Sequence, residues 1–555
     1  MPTEQWLQNY DPLGQPFLST LIAALPVLVL LGSIAYLQIK IHYSALLGLG
    51  VALATALFLY RMPLKAAGAT TLFGAASGLF PIGWIILNLI FLYQLTVQKG
   101  LFNVLRTSLA SLAPDPRVQV ILIAFSFGAF FEGAAGFGTP VAVTAAILIQ
   151  LGFKPLAASG LSLIANTAPV AYGALGTPII ALNRVTGIDL HELSAMTGRQ
   201  LPFFSVVVPF WVVWAYAGFR GMVGVWPAAL TAGVAFAVPQ FLVSNFHGPW
   251  LVDIVASMCS LAAVGALLRF WRPRDNWVRP DRNEATSSET KPLYSRPEII
   301  KAWVPWTLLS VLVFLWGTPD FRKKLDSLSA PQFEMANLHN VVVRTPPVVP
   351  SPTPEKPTKP EEAVFKLNWL SATGTGILVS AILAGFIMGC SLKEMLKTYG
   401  ATLIRVRYSL VTIAAMLALG YVTRYSGTDA TLGLALAKTG VLYPFFGTLL
   451  GWLGVALTGS DTASNVLFGS LQKITAEQIN VSPTLMAAAN SSGGVMGKMV
   501  DAQSIVVAST ATNWYGHEGS ILRYVFFHSI ALAMLVGLLV FLQAYVPPFS
   551  QMVVR

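Results

Sequence analysis

The stretch Phe131-Glu-Gly-Ala-Ala-Gly-Phe-Gly-Thr-Pro140 places glycines, one carboxylate and a Thr-Pro pair inside a chain that is otherwise strongly apolar. Similar polar, glycine-rich stretches follow at Asn166–Pro178, Leu457–Asn465 and Asn490–Met499. Hydrocarbon tolerates irregular backbone only where protein buries it or where it lines a wet cavity. Matching interruptions in two halves of a membrane protein indicate a central solute site between inverted repeats. The pattern therefore predicts a transporter.

The composition also indicates a membrane protein. Of the 555 residues, 55% are hydrophobic and only 11% are charged, whereas soluble domains carry about 25% charged residues. Apolar runs that approach the roughly 20 residues needed to cross a bilayer recur at Phe17–Leu37, Ala45–Leu59, Val206–Phe219, Leu251–Leu268, Val304–Trp316, Ile377–Met388 and Val525–Leu542. The predicted fold class is all-α polytopic membrane protein, with about 12 transmembrane helices and two re-entrant hairpins.

Charge and cysteine usage exclude several other classes. The net charge of +11 does not indicate nucleic-acid binding, because Lys and Arg gather between the apolar runs, as expected of cytoplasmic loops. Cys259 and Cys390 both lie in apolar segments, so we expect no disulfide framework. The segment Gly493–Met499 differs from a phosphate loop because Met499 replaces the required Ser or Thr. We therefore expect no enzyme activity, no metal and no cofactor.

Two polar linkers divide the chain into predicted parts. The basic linker 269–301 is predicted to be cytoplasmic, and the Pro-rich stretch 318–366 is predicted to be an extended extracytoplasmic loop. A single span, 302–317, separates them. The predicted membrane halves follow the same order: 1–268 with a hairpin at 117–151 and a broken helix at 153–184, then 367–555 with a hairpin at 443–475 and a broken helix at 482–510. The hairpins are predicted to enter from opposite faces, as an inverted repeat requires.

The Thr-Pro pairs predict helices that begin inside the membrane. Thr139-Pro140 and Thr177-Pro178 each precede apolar, helix-forming sequence. Threonine is a good N-cap, and proline is preferred at the first helical position. A helix N-terminus offers unpaired N–H groups and partial positive charge, which favour an anion. Ser460–Thr462 and Asn490–Ser492 are the predicted counterparts in the second half. The alternative is that these small residues only let helices pack closely.

Ionisable residues inside the apolar sequence form a second set of candidates. A charge at the centre of a membrane helix costs roughly 2.5–3.5 kcal/mol on insertion scales, so it usually has a function or a partner. We expect Glu132, Asp461 and Asp501 to take part in proton coupling, and Lys498 to pair with an anionic substrate. The alternatives are an arginine partner for Glu132, an N-cap role for Asp461, and a local Lys498–Asp501 pair.

These stretches resemble the bacterial L-lactate permeases. The resemblance rests on Phe131–Pro140, Asn166–Gly173, Gly451–Asp461 and Ala489–Lys498 with Gln503-Ser504-Ile505, and it extends over nearly the whole chain. It implies a proton-coupled symporter for L-lactate and related 2-hydroxymonocarboxylates (D-lactate and glycolate) in the bacterial inner membrane. It also implies a scaffold and an elevator-type transport domain. Elevator-like relatives are often dimers, which is compatible with a homodimer here.

The chemistry of the substrate then selects the candidate binding residues. A carboxylate requires helix N-termini and amide or hydroxyl donors, and the substrate hydroxyl requires a short polar partner. The predicted set is Thr139, Asn166, Thr167, Thr177, Ser460, Thr462, Asn465, Asn490, Ser491 and Lys498. The expected partners are thus a small monocarboxylate, a proton and the lipid bilayer. A permease for another small carboxylate, coupled to sodium through carbonyls at the glycine-rich breaks, remains the alternative.

Overall fold

The computed structural model describes residues 5–35, 37, 39–110, 113, 115–134, 136, 138–273, 294–349, 359–514 and 517–554. Helices dominate this part of the chain. The α-helices are α1 Pro16–Ala35, α2 Ile41–Ala54, α3 Leu64–Ser77, α4 Trp84–Gln98, α5 Leu101–Ala110, α6 Pro116–Gln119, α7 Gly128–Ala134, α8 Thr139–Gln150, α9 Pro155–Ala165, α10 Gly173–Thr186, α11 Leu190–Thr197, α12 Leu201–Gly224, α13 Trp226–Phe246, α14 Val252–Phe270, α15 Arg296–Gly317, α16 Pro319–Leu328, α17 Thr373–Ile387, α18 Leu392–Ser426, α19 Thr428–Leu436, α20 Tyr443–Thr458, α21 Asp461–Gln478, α22 Pro483–Gly497, α23 Ala502–Ala511 and α24 Glu518–Tyr545.

Shorter elements complete the secondary structure. π-Helical segments are Thr55–Leu59, Gly78–Gly83 and Val120–Phe127, and 3₁₀-helical segments are Val170–Tyr172, Ala437–Leu442 and Phe549–Met552. The strands are β1 Trp6–Leu7, β2 Gln332–Glu334, β3 Val342–Val343 and β4 Val364–Lys366. β1 pairs with β3 in parallel, and β2 pairs with β4 antiparallel.

The helical, polytopic fold class is confirmed. Among the described residues, ten helices are long and apolar enough to cross a membrane, or up to eleven if the bent pair Pro155–Ala165 and Val170–Thr186 forms one span. Three further apolar helices are shorter: Pro16–Leu30, Pro140–Gln150 and Thr373–Ile387. Many leucines and phenylalanines on the long helices are exposed, as expected of surfaces that face lipid rather than water.

Each half contains a helix–turn–helix followed by an interrupted helix. In the first half, the chain from Pro116 to Ala134 returns through α8, and α9 bends by 64° into the segment Val170–Thr186. In the second half, α20 and α21 are joined only by Gly459 and Ser460, and residues 498–501 separate α22 from α23. The order of elements is thus the same in both halves.

The two halves pack into each other at these elements. α10 packs against α21, and α23 packs against both α8 and α9. α20 and α22 approach so closely that a Cβ atom on Gly451, Gly493 or Gly497 would overlap backbone of the facing helix. The long helix α18 packs against α2, α3 and α4, and it also contacts α21. The polar interruptions of both halves are therefore brought together beside α18.

The Pro-rich segment 318–366 has more structure than an extended linker. It contains α16 and the strands β2, β3 and β4, and β1 at the beginning of the described chain pairs with β3. Its proline core overlaps residues 350–358, which lie outside the described residues, as do residues 274–293 of the basic linker. Glu361 binds both Arg344, at 2.9 Å, and Arg424 at the end of α18, at 3.0 Å. This ion-pair cluster fastens the segment to the helical bundle.

Candidate functional site

A cavity of about 120 Å3 lies where the interrupted segments of both halves meet. With roughly 10–15 Å3 of such volume needed for one water, the cavity has room for a solute of several heavy atoms. Its polar and charged lining residues are Glu132, Thr177, Ser409, Thr412, Ser460, Asp461, Thr462, Lys498 and Gln503. Both halves and the long helix α18 contribute to the wall. The cavity is therefore the candidate solute site.

Glu132 lies on α7 at the first hairpin and is almost fully buried. Its Oε2 atom accepts a hydrogen bond from Asn166 Nδ2 at 3.1 Å. Gly173 leaves room for the carboxyl group, because a Cβ atom on Gly173 would lie 2.5 Å from Glu132 Oε1. The arginine partner considered for Glu132 is not found among the described ion pairs. A buried carboxyl group with one amide partner is a suitable proton carrier.

Asp461 is the corresponding carboxylate of the second hairpin. The N-cap of α21 is Ser460, whose Oγ accepts from the backbone N–H of Ala463 at 3.2 Å. The alternative that Asp461 only caps this helix is therefore wrong. Its Oδ2 atom accepts hydrogen bonds from Ser491 Oγ and, at 3.3 Å, from Asn465 Nδ2. Oδ1 has no hydrogen-bond partner among the described residues.

Lys498 follows α22 at the interruption between α22 and α23, and it is nearly buried. Its Nζ donates to the carbonyl oxygen of Gly459 at 2.6 Å and lies 3.4 Å from Asp501 Oδ2. Asp501 caps α23 through the N–H of Ser504 at 2.7 Å. The local Lys498–Asp501 pair is therefore present. Lys498 also lines the cavity, so the pair places a cationic group at the solute site.

A network of buried amide side chains connects α21 of the second hairpin to α22 and α10, outside the cavity wall. Asn490 Nδ2 donates to Asn465 Oδ1 at 2.9 Å, and Gln472 Nε2 donates to Asn490 Oδ1 at 3.2 Å. Asn465 Nδ2 also donates to the carbonyl oxygen of Pro178 at 3.2 Å, which links α21 to the interrupted helix of the first half. Neither Asn465 nor Asn490 is among the residues that line the cavity. These amides position the wall of the cavity rather than contact a solute in this conformation.

Helices begin at some of the predicted positions and not at others. At the second Thr-Pro pair, Ala174, Leu175 and Gly176 have φ values of 44°, 55° and 78°, and right-handed helical geometry resumes at Thr177. α8 begins at Thr139, one residue earlier than a threonine N-cap implies, and the side chain of Thr139 lies outside the described residues. The predicted start at Asn490–Ser492 is wrong, because these residues lie inside α22. The interruption occurs at residues 498–501 instead.

The sequence matches a known protein family over nearly its whole length. The family described as L-lactate permease matches residues 19–547. The chain belongs to the L-lactate permease family. It is 46% identical to the glycolate permease GlcA of Escherichia coli strain K12 over 98% of both chains. It is 44% identical to the L-lactate permease of the same strain over 98% of both chains. It is also 44% identical to the L-lactate permease of Bacillus subtilis strain 168, over 99% of this chain and 100% of the other.

Family membership and the apolar helices establish the general class. The chain is a multi-pass protein of the bacterial inner membrane, and it is a permease rather than an enzyme. Among solved structures, the YdaH transporter of Alcanivorax borkumensis aligns over 85% of this chain and 87% of the other with a TM-score of 0.42 and 14% identity.

The structure gathers most of the sequence-predicted residues and adds others. Glu132, Thr177, Ser460, Asp461, Thr462 and Lys498 line the cavity, whereas Asn166, Asn465, Ser491 and Asp501 contact lining residues. Thr167 donates to Ile164 O within its own turn and does not line the cavity. Sequence reasoning missed Ser409, Thr412 and Gln503 because they lie outside the glycine-rich stretches. It also missed Asp253, although an ionisable residue in the apolar run Leu251–Leu268 was a usable signal.

Proposed function

We propose that this protein carries L-lactate and related 2-hydroxymonocarboxylates, including D-lactate and glycolate, across the inner membrane together with a proton. Relatives that are 44–46% identical over nearly the whole chain are named L-lactate permease and glycolate permease. The cavity between the hairpins provides a site of the right size and chemistry for a small carboxylate.

The charge balance of the cavity is the observation that carries proton coupling. Two carboxyl groups, Glu132 and Asp461, and one ammonium group, Lys498, line it. With both carboxyl groups ionised, the lining has a net charge of −1, and Lys498 is also paired with Asp501. Like charges at close range repel strongly where water is excluded. An anionic carboxylate therefore binds favourably only when a proton has neutralised one of the lining carboxyl groups.

Two helix starts and one cation are available for the substrate carboxylate. The regular part of α10 begins at Thr177, and α21 begins after its cap Ser460; both residues line the cavity. Helix N-termini favour anions through free N–H groups and the helix dipole. Lys498 supplies the positive charge. The hydroxyl groups of Ser460 and Thr462 are the proposed partners of the substrate's 2-hydroxyl group.

The wall of the cavity suggests which elements move. Ser409, Thr412, Ile413, Met416 and Leu417 come from α18, whereas the other lining residues come from the hairpins and interrupted helices. α18 packs against α2, α3 and α4. We assign these helices to the scaffold of an elevator-type transporter, and we assign the hairpin-bearing elements, α7–α10 and α20–α23, to the transport domain. The solute would then bind between the transport domain, which moves, and the scaffold, which does not.

Uptake by proteoliposomes tests the coupling. Radiolabelled L-lactate uptake is measured with an inward proton gradient, with an inward sodium gradient at equal pH, and with neither. The proposal predicts accumulation only with the proton gradient, and its loss on adding a protonophore. Accumulation driven by sodium alone would instead support the alternative of a sodium-coupled carboxylate permease. Uptake that responds to neither gradient would contradict coupled transport.

A further inference from the structure

Asp253 is a buried carboxyl group behind the first hairpin. It lies in the first turn of α14 and is 1% exposed. Neither of its carboxyl oxygens has a hydrogen-bond partner among the described residues. An ionised carboxylate without partners is expensive to bury, and the favoured way to avoid this is to bind a proton. Nothing in the wall of the solute cavity accounts for this residue, because Asp253 does not line it.

The position of Asp253 connects it to Glu132. α14 packs against α7, and a Cβ atom on Gly133 would lie only 2.8 Å from the Cβ of Asp253. Gly133 follows Glu132 directly, so the start of α14 lies against the turn of α7 that carries Glu132. A glycine at position 133 therefore lets the two acidic residues approach each other from neighbouring helices.

The loop that precedes Asp253 lines a second cavity, of about 960 Å3. The loop that leads into α14 lines this cavity with His247, Gly248, Pro249 and Trp250. Asp253 is three residues beyond Trp250, at the start of the helix that the loop enters. Pro249 in turn packs on Gly176 at the unwound part of α10. The loop that precedes α14 thus lies between the larger cavity and the unwound part of α10.

We propose that Asp253 is the group through which protons reach Glu132, on the side of Glu132 away from the solute. This inference rests on the proton coupling proposed above. In the step, the O–H bond of the Asp253 carboxylic acid breaks and an O–H bond forms on the Glu132 carboxylate. Asp253 is left as a carboxylate and takes a proton from hydronium, which becomes water. Charge and protons balance at each stage, and nothing is oxidised or reduced.

The other titratable groups around the pair fit this assignment. The buried hydroxyl group of Tyr172 is neutral and donates to the carbonyl oxygen of Ser194 at 2.8 Å. The neighbouring helix α13 and the segment Val120–Phe127 contain no titratable side chain, and the one on α10, Arg184, lies in its last turn. Asp461 and Lys498 share the wall of the solute cavity with Glu132, and Lys498 is paired with Asp501. Asp253 is thus the acidic neighbour of Glu132 away from the cavity.

Asp253→Asn in proteoliposomes separates a proton route from a structural role. Two rates are compared: lactate uptake driven by a proton gradient, and counterflow of labelled lactate against preloaded unlabelled lactate, which needs no net proton movement. A positioned proton-transfer group typically contributes a large factor, so the ratio of driven uptake to counterflow is expected to fall by at least about tenfold. Asp253→Glu, which keeps a titratable carboxyl group, is expected to restore part of the ratio.

Asp429→Asn is the matched control. Asp429 is also a buried carboxylate, but it accepts hydrogen bonds from Ser470 and from the N–H of Ala430, away from Glu132. Its ratio of driven uptake to counterflow should match the wild type. If Asp253→Asn keeps the wild-type ratio, or loses both activities in proportion, the inference is overturned. If Asp253→Asn is not recovered in the membrane, Asp253→Ala is assayed by the same ratio. Wild-type uptake that ignores the proton gradient would refute proton coupling itself and the inference with it.

Discussion

Asn166 Nδ2 donates to Glu132 Oε2 at 3.1 Å and so joins the interrupted helix of the first half to its hairpin. The second half has a related contact, because Ser491 of α22 donates to Asp461 of α21. In each half, a polar residue of the helix after the hairpin holds the carboxyl group of the hairpin itself. The two carboxyl groups then face one cavity. Each carboxyl group is thus hydrogen-bonded to the interrupted element of its own half.

The first prediction concerns the carboxyl group of Glu132. Glu132→Gln removes the titratable group but keeps a side chain of similar size beside Asn166 and Gly173. Lactate uptake driven by a proton gradient is expected to fall by about a hundredfold or more, the factor typical of a lost proton-transfer group. Uptake is measured in proteoliposomes at matched protein content. Glu394→Gln, at the N-terminus of α18 and exposed, is the control and should transport normally; an active Glu132→Gln protein would contradict the role.

A second prediction concerns the space that Gly173 provides. Gly173→Ala puts a methyl group 2.5 Å from Glu132 Oε1, so the carboxyl group or the helix must shift. Overpacking of this kind typically costs about 1–3 kcal/mol, and we expect a lower thermal unfolding temperature together with a loss of driven uptake. Gly68→Ala on α3, where a Cβ atom meets nothing within 4 Å, is the control. Unchanged uptake and stability in Gly173→Ala would show that the contact does not matter.

The third prediction separates binding from coupling at Lys498. Lys498→Met removes the cation that lines the cavity and leaves Asp501 buried without its partner. Loss of one member of a buried charge pair typically costs about 2–5 kcal/mol, which is expected to lower expression. Because the substrate carboxylate also loses its cation, the KM for lactate is expected to rise by at least about tenfold. Lys498→Met with Asp501→Asn should recover expression but not affinity. A double variant with the wild-type KM would mean that Lys498 acts only as the partner of Asp501.

A fourth prediction concerns the pH dependence of the ion-pair cluster formed by Glu361, Arg344 and Arg424. Burial alone would raise the pKa of Glu361, but the guanidinium groups of Arg344 and Arg424 hold this pKa below its usual value. A carboxyl group with a lowered folded-state pKa stabilises the fold above its unfolded pKa, about 4.3, and loses this contribution as the pH falls. Glu361→Gln should destabilise the protein by about 1–3 kcal/mol at pH 7.

Thermal unfolding in detergent at pH 7 and pH 3.5 checks this prediction. The wild-type unfolding temperature should fall more between the two pH values than that of Glu361→Gln, because only the wild type loses the charge of Glu361. Glu334→Gln, whose side chain is mostly exposed near His339, is the control. Parallel pH dependence in the wild type and Glu361→Gln would contradict the assigned role of the cluster.

The sequence alone identified those site residues whose type is unusual in its local sequence. Glu132, Asp461 and Lys498 are charged residues in apolar sequence, where a charge is costly unless it has a function or a partner. Thr177-Pro178 is typical of a helix start. Both signals can be read from the sequence without the fold. It could not show that Asn490 would remain helical, because its side chain is satisfied across α21 by Asn465 and Gln472. Ser409 and Thr412 resemble any small residues on a long helix. Their position in the cavity wall depends on how α18 packs against the other half.

The position of Asp253 could not be predicted from its local sequence. It occupies the first turn of an apolar helix, where an aspartate also suits the helix dipole, so the local sequence already offers an explanation for it. Only the packing of α14 on Gly133 places it beside Glu132 with both oxygens unpartnered among the described residues. Asp253 and Glu132 are more than a hundred residues apart in the sequence. Hydrophobic periodicity and motif spacing do not predict a contact at that separation.

Proton movement driven by lactate tests the central claim most directly. Proteoliposomes with a trapped pH-sensitive dye receive an inward L-lactate gradient at equal internal and external pH, without sodium and with the membrane potential clamped by potassium and valinomycin. The account predicts that the interior acidifies as lactate enters, and that Glu132→Gln abolishes this signal. Lactate entry through the wild-type protein without internal acidification would contradict proton-coupled symport.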